Sequence, residues 1–172
     1  QIIPYTDRLN YCSAFINGHG WALAVEKLLG VAAPPRAEAI RVILSEFSRI
    51  MDHLVCIGAN VVDLGAITPF FVVFRAREEI YDLLDSVCGA RLTVSYVRIG
   101  GVAQDVPDDF DARCRNALKW IREVALQMEN LLTRNSIFVN RFKDVGVFSK
   151  EDALSYGWVG PCLRGSGVGY DI

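Results

Sequence analysis

The sequence lacks the features that would indicate a disulfide framework, a zinc site, a nucleic-acid interface or a membrane-spanning helix. Its cysteines are odd in number, far apart and without a C-x-x-C pair, so neither disulfides nor a structural zinc site is predicted; they are Cys12, Cys56, Cys88, Cys114 and Cys162. Basic residues are scattered and the net charge is -2, which argues against nucleic-acid binding. Charged residues such as Glu26, Lys27 and Arg41 interrupt every long apolar stretch, so no transmembrane helix is predicted.

The chain is rich in apolar residues, which make up 52% of its 172 residues, whereas charged residues make up 22%. A chain of this length can bury a substantial core. The remaining apolar residues exceed what the surface of a free-standing soluble domain needs, so we expect partners to cover part of that surface. We expect residues 1–172 to form one helical domain that is the central part of a longer subunit.

Hydrophobic spacing predicts a mainly α fold, a bundle with long core helices. The first predicted helix covers residues 8–29, capped by Thr6 or Asp7 and stopped by Gly30. A long helix begins at Pro35, and a third follows Gly65 and Pro69. The apolar positions of the long helix, at three- and four-residue steps, are Ile40, Ile43, Leu44, Phe47, Ile50, Met51, Leu54, Ile57 and Val61.

The rest of the chain alternates helical and loop-like segments. The third predicted helix ends at Gly89. Residues 93–99 favour extended backbone, and Gly100-Gly101 favours a turn, so a short hairpin or loop is predicted. A fourth helix is predicted over residues 108–134, and a short one over residues 150–156 with Ser149 as its cap. The last segment is otherwise predicted as Gly-rich loops.

Few residues suggest chemistry by themselves. His19 lies between Gly18 and Gly20, which favours a helix contact over a catalytic base. Asp63 is a stronger candidate, because it ends a stripe of small and polar residues on an otherwise apolar helix; a carboxylate there must be exposed, paired or functional. The stripe consists of Asp52, Cys56, Ala59 and Asp63. The pattern alone leaves a structural role open.

Several motifs, taken together and in order, resemble one family. They are "PYTDRLNY", "ALAVEKLLG", "RAEAIRVILSEFSRI", "DLGAITPFF", "CGARLTVSYVRIGGV", "DVPDDF" and "EDALSYGWVGPCLRGSGVGYD". This set resembles the D-type subunit of NADH-quinone oxidoreductase, which is the 49-kDa-type subunit of respiratory complex I. The family is similar in fold to the large subunit of nickel-iron hydrogenases, whose metal is held by paired C-x-x-C cysteines that this sequence lacks.

The resemblance implies a peripheral subunit that packs against the small subunit holding the terminal iron-sulfur cluster and forms with it the quinone headgroup pocket. It implies quinone as substrate, no metal in this chain, a membrane-arm subunit as a further partner, and a position on the cytoplasmic side of the inner membrane if the source is bacterial. The headgroup tyrosine of the family corresponds to Tyr11 and its pocket aspartate to Asp63. Two alternatives stay open: a hydrogenase-like large subunit, and a helical interaction module without chemistry of its own.

Two positions depart from the family pattern. Thr93 stands where many members have a histidine close to the cluster, which predicts weaker coupling between cluster reduction and protonation. Ala59 stands where members often have threonine, which removes one hydroxyl from the pocket wall. Tyr11 is expected near the start of the first predicted helix, and Gly18 and Gly20 are predicted to let another backbone approach that helix.

Overall fold

The computed structural model describes residues 2–170, which divide into two compact units, one up to Leu131 and one from Leu132 onward. The first unit begins with a short helix α1 (Ile3–Thr6) and a single 3₁₀ turn (Tyr11–Ser13). Three long helices follow, α2 (Ala14–Leu29), α3 (Pro35–Asp63) and α4 (Ile67–Cys88). A hairpin of β1 (Val97–Arg98) and β2 (Gly101–Val102) then leads to α5 (Phe110–Leu131). The mainly α prediction is confirmed.

The hairpin is antiparallel, with Val97 opposite Val102 and Arg98 opposite Gly101. Gly100 supplies the positive φ of 81° that its tight turn requires. Helix α3 packs against both α2 and α4, and α5 packs against α4. The short hairpin predicted from residues 93–101 is therefore present, and it lies against α2 and α3.

The core of the first unit consists of apolar side chains from α2, α3, α4, α5 and the segment through β1, each almost inaccessible to water. Its members include Phe15, Ala22, Leu44, Phe47, Met51, Ile80, Leu84, Val87, Tyr96, Val97 and Ala117. The long-helix prediction is confirmed from Pro35 onward, at 29 residues. Two of its predicted core positions are wrong: Ile43 is 40% and Ile57 46% exposed. Both lie on the flank of the buried stripe, where no neighbouring element of this unit covers them.

The structure corrects several predicted helix ends. Helix α2 begins at Ala14 rather than residue 8, because Asn10 is extended (φ -127°, ψ 93°) and the Thr6 and Asp7 side chains are buried instead of capping a helix. Pro69 lies inside the first turn of α4, where a missing backbone N–H costs nothing. Gly30 and Gly89 end their helices with φ of 66° and 70°, as predicted.

A buried ion pair joins α2, α3 and the hairpin. The Arg41 side chain is fully buried and donates to Glu26 Oε1 at 2.6 Å and Oε2 at 3.1 Å. It also donates to the carbonyls of Arg98 at 2.6 Å and Gly101 at 2.8 Å, while Glu26 accepts from the Gly100 amide at 2.7 Å. This network fixes the hairpin turn against the two helices.

The second unit contains three short helices within the described residues, α6 (Ser136–Phe142), α7 (Lys150–Ser155) and α8 (Gly160–Gly165). The predicted cap of α7 is confirmed: Ser149 Oγ accepts from the Asp152 amide at 3.0 Å. Helices α6 and α8 were not predicted. Each is a single short stretch without a hydrophobic period long enough to be recognised.

Gly58 marks a close approach of α3 and α4. A Cβ atom at this position would lie 2.8 Å from Val73 Cγ2 and 3.4 Å from Phe70 Cδ2. Val73 is buried and β-branched, so its methyl group has little freedom to move away. By contrast, a Cβ at Gly18 would make ordinary contacts of 3.6 and 3.7 Å, and one at Gly20 would meet no described atom within 4 Å. The prediction that another backbone approaches these glycines is therefore wrong for both, because the atoms near Gly18 belong to the Thr6 and Asp7 side chains.

We expect Gly58→Ala to destabilise the full-length subunit by about 1–3 kcal/mol, because overpacking at Val73 outweighs the better helix propensity of alanine. Gly20→Ala is the matched control and should be neutral or stabilise by up to about 1 kcal/mol. Thermal unfolding of the two variants measures the difference. Val73→Ala should recover part of the loss in the Gly58→Ala background; equal effects of the two glycine substitutions would contradict the steric explanation.

Candidate functional site

Tyr11 begins the 3₁₀ turn Tyr11–Ser13 and is 60% exposed. The neighbouring Asn10 fixes this turn: its side-chain amide donates to Ser13 Oγ at 2.6 Å, and its carbonyl accepts from Asn17 Nδ2 at 2.9 Å. Within residues 2–170 the Tyr11 hydroxyl has no hydrogen-bond partner. Tyr11 thus lies in a hydrogen-bonded turn ahead of α2 rather than near the start of the predicted helix.

Asp63 is the last residue of α3 and is exposed. The chain leaves the helix at Gly65, which has a φ of 85°, and the Ala66 amide donates back to the Val61 carbonyl at 2.9 Å. Among the described residues the Asp63 carboxylate has no hydrogen-bond or ion-pair partner. Tyr11 and Asp63 are therefore both exposed among the described residues rather than buried in the core.

The stripe on α3 connects the two residues. Asn10 Nδ2 approaches Asp52 Oδ2 at 3.4 Å, which places the Tyr11 turn beside the start of the stripe. Eleven residues of α-helix rotate by about 20° net and advance about 16 Å, so Asp52 and Asp63 share one side of α3 about three turns apart. Cys56 and Ala59 lie between them and are exposed. The structure thus places Tyr11 and Asp63 along one side of α3 without a hydrogen bond between them.

An aromatic and cationic stack on α4 lies near the same turn. The Arg77 guanidinium is 4.7 Å from the ring centre of Tyr81 and 5.1 Å from that of Phe74. Burial raises the pKa of the Tyr81 phenol, with a smaller contribution of the same sign from Cys12 in the turn. This stack borders the turn and was not predicted from the sequence.

His19 is a contact between α2 and α3, as its sequence context favoured. Its Nδ1 shares a hydrogen bond of 2.9 Å with the Ser45 hydroxyl. Burial lowers the pKa of the imidazole, and the nearby Arg41 charge acts in the same direction. Thr93 is half-buried in the segment before β1, so the departure from the family pattern lies at a partly accessible position.

Sequence reasoning missed two groups. Glu26 and Arg41 were noticed only as charges interrupting apolar stretches, although a charged residue inside an apolar helical period was the available signal for a buried pair. Asp7 was considered only as a helix cap, yet it is 2% exposed. Within residues 2–170, no helix is long and apolar enough to cross a bilayer.

Comparison with known proteins identifies the family of this chain. Residues 63–172 match the family described as respiratory-chain NADH dehydrogenase, 49 Kd subunit. The whole chain is 51% identical to the NADH-quinone oxidoreductase C/D subunit of Bdellovibrio bacteriovorus, of which it spans 31%. It is 48% identical over 99% of its length to the D-type subunit of Chlorobium luteolum and 48% identical over its full length to that of Methylacidiphilum infernorum, spanning 43% and 41% of them. The chain therefore spans less than half the length of these relatives, and it belongs to the family of the 49 kDa subunit of respiratory-chain NADH dehydrogenase.

Proposed function

We propose that this chain is part of the quinone-reducing module of respiratory complex I, and that Tyr11 and Asp63 contact the quinone headgroup or its immediate surroundings. The observation that carries the proposal is the match of the whole chain, at 48–51% identity, to subunits named NADH-quinone oxidoreductase. The exposure of both side chains supports it, because a residue that binds a ligand from outside this chain must be accessible to it.

Each residue has a chemical role in this proposal. A phenol can donate a hydrogen bond to a quinone carbonyl and supply a proton as negative charge develops on that oxygen. A carboxylate can hold a protonated partner group and set how readily that group releases its proton. The partner of Asp63 then comes from outside residues 2–170, since the described part of the chain provides none.

The proposal also assigns neighbouring subunits to an exposed apolar surface of this chain. Apolar side chains near the site remain accessible, including Leu9 at 76%, Ile67 at 58% and Phe71 at 64%. We assign this surface to neighbouring subunits, chiefly the small subunit that holds the terminal iron-sulfur cluster and the membrane-arm subunit at the quinone channel. A peripheral position on the cytoplasmic side of a bacterial inner membrane completes the proposal. The names of the relatives favour a quinone-reducing module over a hydrogenase-like subunit.

Asp63→Asn tests the role of the carboxylate. In the assembled complex we expect quinone reductase activity to fall by at least about tenfold, because the amide keeps the shape of the side chain but loses its charge. NADH oxidation by an artificial acceptor should stay near normal. Glu123→Gln is the control, since it removes a carboxylate charge from an exposed position of α5 that has no described partner. Equal loss of both activities, or failed assembly, would mean that Asp63 is structural.

A further inference from the structure

Arg77 is a buried cation of α4 that no acidic side chain of the described residues neutralises. It is 9% exposed, and its Nε atom is fully buried without a hydrogen-bond acceptor. Within residues 2–170, no hydrogen bond or ion pair joins its guanidinium to another residue. The other buried arginine, Arg41, is paired with Glu26. A buried charge is strongly unfavourable unless it is paired, so the described part of the chain leaves the requirement of Arg77 unmet.

Aromatic rings hold this guanidinium on one side of α4. The side chains of that side recur at steps of three and four residues, and they form what we call the α4 ladder: Phe70, Phe74, Arg77 and Tyr81. The rings of Phe70 and Phe74 are 4.4 Å apart between centres. The guanidinium lies 5.1 Å from the ring centre of Phe74 and 4.7 Å from that of Tyr81. Such ring contacts attract a cation, but they offset only part of the cost of removing it from water.

The carboxylates beside the α4 ladder are already engaged with a different arginine. Arg91 lies 4.9 Å from the ring centre of Tyr81, so this ring contacts two guanidinium groups. Arg91 donates to Glu78 at 2.5 Å and to Asp82 at 2.9 Å, and these two carboxylates neutralise it. Because two cations adjoin one ring and only one of them is neutralised, Arg77 gains from an anion of its own.

The outer part of the Arg77 guanidinium is the part that a further group can reach. Nε is the atom of this side chain that is both fully buried and without a partner. The two outer nitrogens also lack partners among the described residues, and they keep some accessible surface. A guanidinium presents its N–H groups as a planar fork that matches the two oxygens of a carboxylate. An acidic side chain that approaches from outside residues 2–170 can therefore form a two-pronged pair with it.

We propose that Arg77 forms a buried ion pair with a carboxylate from the part of the full-length subunit outside residues 1–172, and that this part docks on the α4 ladder. The matched segment makes up 43% of the Chlorobium luteolum subunit and 41% of that of Methylacidiphilum infernorum, so more than half of each lies outside it. The same polypeptide is favoured over another subunit, because an unpaired buried charge would destabilise the subunit before it assembles. This inference does not rest on the roles proposed for Tyr11 and Asp63.

Cross-linking with a carbodiimide in the assembled complex tests the ion pair. Arg77→Lys keeps a positive charge and supplies an amine, which the carbodiimide couples to a carboxylate in contact with it. Mass spectrometry of the digested complex should show a link from the substituted residue to an acidic residue of the same subunit outside residues 1–172. Arg91→Lys is the positive control and should link to Glu78 or Asp82. If the control links and Arg77→Lys does not, or if Arg77→Lys links to another subunit, the inference is overturned.

Thermal unfolding of the full-length subunit is an independent test. Arg77→Met keeps an unbranched side chain against the rings but leaves the partner carboxylate buried and unpaired, so the unfolding temperature should fall by about 3–10 °C. Changing the cross-linked carboxylate to its amide in the Arg77→Met background should recover most of this loss. Arg36→Met is the control, because its pair with Asp105 is exposed, and it should change the unfolding temperature little. An unfolding temperature of Arg77→Met at or above that of the original protein would show that the charge has no partner and would overturn the inference.

Discussion

Replacing Tyr11 with Phe should lower the quinone reductase activity of the complex by about a hundredfold or more, the range in which a positioned proton donor acts. The substitution removes one oxygen and leaves the ring. Because Tyr11 is 60% exposed and its hydroxyl has no partner within the described residues, the loss should not affect folding. Assembly and NADH oxidation by an artificial acceptor should therefore remain near normal.

Tyr5→Phe provides a closely matched control for this prediction. Tyr5 lies in α1, is 72% exposed and loses the same hydroxyl. Quinone reductase activity should therefore fall in Tyr11→Phe and stay near normal in Tyr5→Phe, although both variants lose the same hydroxyl group. If both variants lose quinone reduction equally, or if Tyr11→Phe also fails to assemble, then Tyr11 has no specific role at the headgroup.

Replacing Arg41 with Ala should destabilise the full-length subunit by about 3–5 kcal/mol, the effect of leaving a buried charge without its partner. Glu26, which is 5% exposed, would keep the Gly100 amide as its remaining donor in the network. The carbonyls of Arg98 and Gly101 would lose their donor as well. Since stability is only about 5–15 kcal/mol for a typical domain, we expect the amount of assembled complex to fall severely.

Two comparisons test the explanation for Arg41. Arg36 makes a similar two-pronged pair with Asp105, but these side chains are 69% and 63% exposed, so Arg36→Ala should change the unfolding temperature little. The double variant Arg41→Met with Glu26→Leu should be more stable than Arg41→Ala, because no unpaired charge remains. An Arg36→Ala effect as large as that of Arg41→Ala would contradict the role of burial.

The buried pair also predicts a pH dependence. The hydrogen bonds from Arg41 lower the pKa of Glu26 from its usual 4.5. A carboxyl group with a lowered pKa in the folded protein contributes stability above its unfolded pKa and loses it as the pH falls through the folded value. Glu26→Gln should therefore cost stability at neutral pH, and the difference from the original protein should shrink below about pH 4.5.

Local features of the sequence were sufficient for most helices. The three- and four-residue spacing that begins at Pro35 predicted α3, and the helix-ending glycines Gly30 and Gly89 were identified correctly because a positive φ is a local requirement. The start of α2 was predicted too early, since the side chains of Thr6 and Asp7 bury themselves against other segments instead of capping the next turn.

At the candidate site, too, some features could be predicted from the sequence and others depended on packing. The motif around Tyr11 and the stripe ending at Asp63 could be read from the sequence, because motif spacing and helix period are one-dimensional patterns. That both residues are exposed, and that the Tyr11 turn meets α3 at Asp52, depended on how the segments pack. The burial of Asp7 had no sequence signal, because it depends on packing against α2 at Gly18.

The sequence alone thus determined the helical class, the long helix α3, the hairpin and the family, since each depends on local periodicity, turn residues or ordered motifs. Only the tertiary structure decided that Glu26 meets Arg41, that Gly58 rather than Gly20 is the close helix contact, and that Asp7 is buried. The physical reason is that burial and pairing depend on which distant segments pack together, and the local preferences of a residue do not contain that information.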